Sequence, residues 1–469
     1  MSPRRAVVAV GVTIGGGLVL ASPATAHGLT GNQDLPIPQW MFAWAAAIVL
    51  VLSFIGLAAL APRSVLRDGV YERHLTGPVP VPIQVAGGTL GVLLYTGLIY
   101  AGLVGTDEPQ QNIVPTFVYV VFWVAVPLLS ALIGDVFALF NPWRAIGRAT
   151  GWLVQRLRTD GAPSPLAWPA RLGAWPAIVA LVAFGWVELV LPERDDPRTL
   201  ALLGLIYGIV QLVGMALYGT REWNRRGDGF AVYFALCAAL SPLRWGREGL
   251  RLRAPLAGTV RLRAERTLVP LVCTLIGITT FDGLGEGSLW RPVSETLAEP
   301  LEALGLGWRP ISMITGTIGL LATLGLVGLL YLAGCRGMAR AGRGVDTRRL
   351  AEAFAHTLIP IALAYVLAHY VGLLAYQGQA LGYLASDPLG DGTDLLGTAS
   401  TRIDYSWISG NTIWYIQVAA LITGHVASLW LAHDGALAMF SSPRRAMRSQ
   451  GSMLAVMVAL TGLGLFLIS

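Results

Sequence analysis

Long apolar stretches without charged residues recur along this chain of 469 residues. About 20 helical residues of this kind cross the roughly 30 Å of hydrocarbon in a bilayer, whereas they have no place on the surface of a soluble protein. The composition agrees, since 54% of the residues are hydrophobic, 13% are charged and the mean hydropathy is +0.61. We therefore predict an all-α, polytopic membrane helical bundle, which excludes a water-soluble fold.

The apolar stretches predict about ten membrane spans after a cleaved signal peptide. The signal peptide would comprise residues 1–26, with basic Arg4 and Arg5, an apolar middle and a small-residue cleavage site at Ala24-Thr25-Ala26. Residues 27–469 would form a single membrane domain. Its spans are predicted near residues 40–61, 82–104, 114–134, 172–191, 199–219, 267–284, 310–334, 351–376, 411–433 and 452–469.

The distribution of arginine predicts the orientation of these spans. All 33 basic residues are Arg, and cytoplasmic connections of membrane proteins hold the excess of basic residues. With the mature N-terminus outside, the connections assigned to the cytoplasm carry 26 Arg and the exterior ones carry 5. We therefore predict a multi-pass plasma-membrane protein with both termini outside. Its net charge of +6 is assigned to a cytoplasmic rim beside anionic lipid, with the lipid bilayer and no nucleic acid as partner.

Two further patterns lie on the predicted cytoplasmic side. The apolar run 229–240 is too short to cross a bilayer and predicts a re-entrant or surface-lying helix. An [Asn/Ser]-Pro-x-Arg motif begins at Asn141, Ser241 and Ser442. Asn or Ser followed by Pro is typical of a helix start, so the motif predicts three such starts, although its Arg residues could alternatively hold a phosphate-bearing substrate.

Four of the six histidines fall in or beside the eighth and ninth spans: His356, His369, His425 and His433. An imidazole within hydrocarbon usually faces a partner, a cavity or a metal. A helix rise of about 1.5 Å per residue places His356 near the depth of His433 and brings His369 towards that of His425. The sequence separations of these pairs differ between the two spans, which disfavours a pair of stacked bis-histidine haems.

The outer two histidines predict a divalent-metal site. His369 and His425 would ligate the ion with help from Asp404 of the following external loop, because imidazole and carboxylate are ordinary divalent-metal ligands. Such a metal activates water for attack on a phosphorus or carbonyl centre, with Asp404 and Tyr365 as catalytic candidates and Tyr365 as the proton donor. The alternative is a carrier of metal ions or protons, in which His356, His433 and Asp434 form the inner half of the polar path and also serve as metal ligands.

A family resemblance rests on short motifs spread along the chain. They are Ala26-His27-Gly28-Leu29, Asp34-Leu35-Pro36-Ile37-Pro38, Gly134-Asp135-Val136-Phe137, Asn141-Pro142-Trp143-Arg144, Leu367-Ala368-His369-Tyr370, Ile403-Asp404-Tyr405, Trp414-Tyr415-Ile416-Gln417, Gly424-His425 and Ala432-His433-Asp434. In these, and over nearly its full length, the chain resembles a group of actinobacterial polytopic membrane proteins commonly labelled fenitrothion hydrolase. The resemblance implies membrane-associated hydrolysis of a lipophilic organophosphorus triester, and it assigns no catalytic residues.

We predict that reporter fusions at Asp160 and Gly249 will report the cytoplasm, and that fusions at Gln110 and Gly392 will report the exterior. The reason is the excess of Arg in the connections that contain the first two positions. Paired phosphatase and fluorescent-protein fusions measure this directly. An exterior signal at Gly249 would contradict the orientation, since every later span would then be inverted.

Overall fold

The structure, a computed structural model, describes residues 39–60, 64, 66, 72–157, 164–246, 248–262, 264–342, 345–440 and 442–467. The predicted signal peptide, residues 1–26, lies outside the described residues. Within them, helices dominate, and one small antiparallel sheet is present. The prediction of an all-α bundle is therefore confirmed for the part of the chain that the structure describes.

Nine helices lie in the first half of the described residues. They are α1 (Gln39–Leu60), α2 (Val81–Val104), α3 (Ile113–Ile133), α4 (Phe137–Phe140), α5 (Pro142–Leu157), α6 (Trp175–Leu189), α7 (Pro197–Tyr218), α8 (Thr220–Arg226) and α9 (Gly229–Ala238). The middle of α3, Phe117–Ala125, is a π-helix. Strands β1 (Arg73–His74), β2 (Leu243–Gly246) and β3 (Gly249–Leu252) form the sheet in the order β1-β3-β2.

The second half is built from longer helices. They are α10 (Leu268–Glu286), α11 (Trp290–Ala303), α12 (Trp308–Gly342), α13 (Thr347–Phe354), α14 (Ile359–Tyr376), α15 (Leu381–Leu384), α16 (Gly410–Met439) and α17 (Pro443–Leu467). A 3-10 turn, Ala355–Leu358, separates α13 from α14, and Pro360 occupies the first turn of α14. Proline is tolerated there because the N–H it lacks would have no partner within the helix.

Seven helical segments among the described residues are long and apolar enough to cross a membrane: Val81–Val104, Ile113–Ile133, Pro197–Tyr218, Leu268–Glu286, Trp308–Gly342, Thr347–Leu384 and Gly410–Met439. The chain is thus a helical membrane protein by the length and composition of its helices. The other three predicted spans coincide with α1, α6 and α17. The apolar parts of α1 and α6 span only 14 and 15 residues, so the count of ten stays a prediction.

The [Asn/Ser]-Pro-x-Arg motif starts a helix at two of its three occurrences. The Asn141 side chain accepts a hydrogen bond from the Arg144 N–H at 2.8 Å, at the start of α5. Ser442 caps α17 through the Arg445 N–H. At Ser241 the prediction was wrong, because the residues after Pro242 enter β2 and the Ser241 hydroxyl bonds the Leu132 carbonyl instead.

Helix α9 is the short apolar run that was predicted to be re-entrant or surface-lying. Eight of its ten residues are buried, so the surface-lying alternative was wrong. Its C-terminal carbonyls are held by Arg253, whose guanidinium donates to the Ala238 and Ser241 oxygens at 2.8 and 2.9 Å. A cation at this end also suits the helix dipole, so α9 is closed inside the protein without its last turn being left unpaired.

The sheet brings three arginines onto one carboxylate. Arg244 and Arg251 are cross-strand neighbours, and both donate to Glu72, at 3.1 and 2.9 Å. Arg261 contacts the same side chain. Burial opposes ionisation of Glu72, but hydrogen bonds and charge from the three arginines outweigh it and lower its pKa. This ion cluster joins the segment before α2 to the hairpin after α9.

Helices α2 and α4 meet at Gly91, where a side chain has no room. A Cβ atom there would lie 1.8 Å from the Phe140 carbonyl oxygen, which is backbone and cannot turn away. At Gly97, on the same helix, a Cβ would meet nothing within 4 Å. Position 91 therefore has to be glycine for the two backbones to approach this closely. Gly87, one turn earlier, also faces α4, because a Cβ there would lie 2.7 Å from the Leu139 side chain.

We predict that Gly91→Ala lowers the thermal unfolding midpoint in detergent, because overpacking of this kind costs about 1–3 kcal/mol. The matched variant Gly97→Ala should keep or slightly raise the midpoint, since alanine is the better helix former by about 1 kcal/mol. Equal midpoints for the two variants would show that α2 and α4 do not pack as described.

Candidate functional site

A buried ion pair joins α14 to α10. The Nε2 atom of His369 lies 2.8 Å from Oδ2 of Asp282, and the two side chains are only 6% and 3% exposed. Asp282 lies one turn before the end of α10, and His369 lies in the middle of α14. Since both helices belong to candidate membrane spans, this pair is embedded in the bundle.

The pair continues into a second carboxylate. The Tyr370 hydroxyl donates to Oε1 of Glu188 at 3.0 Å and interacts with Asp282 as well. The indole N–H of Trp123 lies 3.5 Å from the same hydroxyl. The second carboxylate oxygen of Glu188 has no hydrogen-bond partner among the described residues, although Glu188 is buried. We call these five residues, Trp123, Glu188, Asp282, His369 and Tyr370, the Glu188 cluster.

Close packing of α6 on α10 brings the two carboxylates together. A Cβ at Gly185 would lie 2.9 Å from the side chain of Ile278, so glycine permits the contact. The N-terminal ends of these helices also meet, where the Thr267 hydroxyl accepts from the Ala174 N–H at 3.0 Å. The helices therefore run side by side in the same direction. One turn beyond the Gly185–Ile278 contact, they present Glu188 and Asp282 at the same level.

The π-helix of α3 supplies the indole. Extra residues per turn rotate the side chains that follow, and such segments occur frequently at functional sites. Trp123 lies within this segment and is 1% exposed, packed against Phe184 and Tyr233. Its N–H is thereby directed at Tyr370.

Burial limits how much negative charge the cluster can hold. Two carboxylates in a medium of low dielectric are costly when both are ionised, and the imidazole of His369 can offset one of them. The Tyr370 phenol carries one proton, so it can donate to only one carboxylate at a time. The ionisation of Glu188, Asp282 and His369 is therefore linked, because a charge on one of them changes the cost of a charge on the others.

The cluster borders a cavity of about 510 Å³, and Asp282 is the member that lines it. Three helices each contribute one face to its wall. The α10 face includes Phe281, Asp282, Gly285 and Glu286, the α11 face includes Arg291, Ser294, Glu295, Ala298 and Glu302, and the α12 face includes Trp308, Ile311, Ser312, Thr315 and Gly316. Leu189 and Arg194, at and beyond the end of α6, complete it.

His425 contacts different residues from those that His369 contacts. It is fully buried on α16, and its Nδ1 lies 2.8 Å from the Leu421 carbonyl oxygen one turn earlier. Within the part of the chain that the structure describes, its Nε2 has no hydrogen-bond partner. The centroid of the Tyr365 ring lies 6.2 Å from that of the His425 ring. His369 instead faces Asp282 on α10. The structure therefore gives the two predicted metal ligands different partners.

The predicted catalytic pair, Asp404 and Tyr365, is not assembled either. The Tyr365 hydroxyl donates to the Leu460 carbonyl of α17. Asp404 lies in an exposed loop, and its carboxylate accepts from the Ser406 hydroxyl and N–H at 2.6 and 2.8 Å. These bonds lower the pKa of Asp404, with the hydroxyl having the larger effect. Asp404 thus organises its own turn.

The inner group lies between the ends of α16, α17 and the 3-10 turn. His433 contacts the Gln450 amide of α17 at 3.3 Å, and both are buried. Asp434 accepts from the Leu66 N–H at 3.0 Å, which ties the segment after α1 to α16. His356 is buried on the 3-10 turn, and this turn packs against α16. All three predicted residues are therefore buried in one region of the bundle.

The donor geometry does not fit the predicted divalent-metal site. Within the described residues, no group of three or more His, Cys, Asp or Glu side chains is placed to hold a metal ion. His369 already uses Nε2 towards Asp282, and Asp404 is engaged by Ser406. A divalent cation generally needs more protein donors at one point than His425 alone provides.

Comparisons of the chain with protein-family models, with curated proteins and with solved structures find no match. The expected similarity to fenitrothion hydrolases accordingly stays a prediction.

Sequence reasoning identified His369 but missed both of its acidic neighbours. Glu188 lies inside the predicted span 172–191, and Asp282 lies inside the predicted span 267–284. An ionisable residue within a membrane span is itself a signal of function, so these two carboxylates could have been found. Their proximity could not have been predicted from the sequence, because the contact between α6 and α10 is set by tertiary packing.

We predict strong energetic coupling between Asp282 and His369. Asp282→Asn and His369→Gln should each lower the unfolding midpoint in detergent, because removing one partner of a buried pair costs about 3–5 kcal/mol. The double variant should be less destabilised than the sum of the two. The measurement is a double-mutant cycle of thermal or denaturant unfolding.

The control cycle combines Asp282→Asn with His425→Gln. Residues with no shared partner give effects that add within about 0.5 kcal/mol, so this cycle should show no coupling. Coupling of equal size in both cycles would mean that the two histidines act in one site, as the sequence predicted.

Proposed function

We propose that this protein is a proton-coupled membrane carrier and that the Glu188 cluster binds the coupled proton. The observation that carries the proposal is the connection from a cavity to two buried carboxylates and an imidazole. Asp282 lines the cavity, and its Oδ2 lies 2.8 Å from Nε2 of His369. Tyr370 links this pair to Glu188 by a hydrogen bond. Ionisable groups of this kind inside a membrane domain are typical of proton relays.

The chemistry of the cluster suits the reversible binding of a proton. Glu188, Asp282 and His369 can each hold one, and the Tyr370 hydroxyl can pass a proton between the carboxylates by turning about its C–O bond. The Glu188 oxygen that lacks a partner among the described residues is a further hydrogen-bond acceptor in the interior. A proton from the cavity would be taken by Asp282 and exchanged with His369 or, through Tyr370, with Glu188.

A second buried polar group, the inner group, supports a polar path that reaches the other side of the membrane. His356, His433 and Asp434 are buried where α16 meets α17 and the 3-10 turn. A carrier needs polar groups towards both sides of the membrane, whereas an enzyme needs a site that opens to one side. The presence of both groups is the reason to favour the carrier over hydrolysis.

We predict that the carboxylates of the Glu188 cluster take up protons as the pH falls. Infrared difference spectra between acidic and neutral pH will test this. The carbonyl stretch of a protonated carboxylic acid is separate from the carboxylate bands. Wild type should show a pH-dependent band that is lost or shifted in Glu188→Gln and Asp282→Asn. Glu299→Gln, on the exposed helix α11, is the matched control and should leave it unchanged.

Transport itself is measured in proteoliposomes with an acidic lumen and a trapped pH-sensitive dye. A panel of divalent metal ions and organic cations is added outside, and the expected result is lumenal alkalinisation by at least one class. Asp282→Asn should abolish it. If the carboxylic-acid band is identical in wild type and both cluster variants, and no member of the panel moves protons, the carrier assignment is wrong.

Hydrolysis of a lipophilic phosphotriester is the second candidate, because a carboxylate at the wall of a cavity can act as a general base. Asp282 would accept a proton from water as the water oxygen bonds to phosphorus and the bond to the leaving alcohol breaks. His369 would position the carboxylate. Release of 4-nitrophenolate from a chromogenic phosphotriester, lost in Asp282→Asn and kept in Glu299→Gln, would favour this reaction over transport.

A further inference from the structure

The cavity beside Asp282 has the composition of a binding site for an organic cation. Its volume of about 510 Å³ falls in the range of roughly 300–1,000 Å³ that small-molecule sites occupy. Four carboxylates line it, Asp282, Glu286, Glu295 and Glu302, against the two guanidinium groups of Arg194 and Arg291. The wall is therefore acidic in balance.

An ion pair outside the cavity increases the excess of negative charge in the cavity wall. Arg194 lies 3.8 Å from Asp195, which offsets part of its charge outside the cavity. Glu295 and Glu302 share the face of α11 that is turned to the cavity, whereas Glu299 of the same helix does not line it. The carboxylates on α11 are thus placed by helical spacing on the cavity side.

Aromatic rings provide the apolar part of the wall. Trp290 packs edge to face on Phe281, with 5.5 Å between the ring centroids. A Cβ at Gly319 would lie 2.5 Å from both rings, so glycine makes room for them on α12. Trp308 lines the cavity with 70% of its surface exposed. Indole faces attract cations that have been partly desolvated, as well as apolar groups.

We propose that this cavity binds a monovalent organic cation with an apolar body and that the cation competes with a proton for Asp282. The proposal rests on the proposed carrier function and names its substrate class. A cation beside Asp282 stabilises the ionised carboxylate, so the O–H bond of protonated Asp282 breaks and the proton leaves through the cavity water. The same site then holds either the cation or the proton, which is the requirement for exchange.

The test is equilibrium dialysis of tetraphenylphosphonium against the detergent-purified, full-length protein without any proton gradient. We expect saturable binding of about one cation per chain. The double variant Glu295→Gln/Glu302→Gln should weaken binding about tenfold, because two carboxylates of the wall lose their charge, and Trp308→Leu should weaken it as well. Binding should also weaken at acidic pH, because protons then compete with the cation for Asp282 and for the three wall glutamates, Glu286, Glu295 and Glu302.

Two controls separate this site from non-specific uptake. Glu299→Gln removes a carboxylate from the same helix outside the cavity and should bind as wild type does. Tetraphenylborate, an anion of the same shape, should show no saturable binding. Saturable binding of both ions, or an equal loss of tetraphenylphosphonium binding in Glu299→Gln, would overturn the proposal.

The outcomes distinguish the ligand class from the carrier function. Tetraphenylphosphonium binding with the expected variants supports the cation site even if the infrared spectra show no titrating carboxylic acid, in which case only proton coupling fails. A titrating cluster in a protein that binds no tetraphenylphosphonium overturns the cation site and leaves the carrier with another substrate. The cavity-facing glutamates are exposed, so their variants are expected to fold.

Discussion

The cost of keeping two carboxylates away from water shapes this bundle. Glu188 and Asp282 are 6% and 4% exposed, and an uncompensated charge at either position would be strongly destabilising. His369 and Tyr370 are neighbours on α14, and together they offset this cost. His369 faces Asp282, and the Tyr370 hydroxyl donates to Glu188. The packing of α6, α10 and α14 therefore has to be maintained together, since displacement of any one helix leaves a buried group without its partner.

The features that could be predicted from sequence are those decided locally. Apolar stretches marked the long helices because hydrophobic length is a property of each segment alone. Asn141 and Ser442 start helices because their bonds reach only three residues along the chain. The motif failed at Ser241, where pairing with β3 recruits the residues after Pro242 into a strand. Pairing between segments is not encoded in a local motif.

The same distinction explains the outcome at the site. His369 was predicted to bind a metal together with His425, but its Nε2 faces Asp282 of α10. The depth of a residue along a helix does not say which neighbouring helix its side chain faces. Asp404 was chosen because its loop follows the eighth span, yet the nearest donor along the chain, Ser406, engages its carboxylate. The contact of Gly185 with Ile278, which places Glu188 near Asp282, depends on how two distant segments cross.

Helices α14 and α16 cross between the two polar groups, which are the Glu188 cluster and the inner group of His356, His433 and Asp434. At Gly424 a Cβ would lie 2.3 Å from the Ala364 Cβ and 2.8 Å from the Pro360 carbonyl oxygen, so the helices touch there almost backbone to backbone. This close approach requires glycine, because any larger residue at position 424 would push the two helices apart. Ala364 lies between His356 and His369 along the chain. The Gly424 contact therefore sets the distance between α14 and α16 at a level between the two polar groups, and a larger residue there would disturb the packing around both.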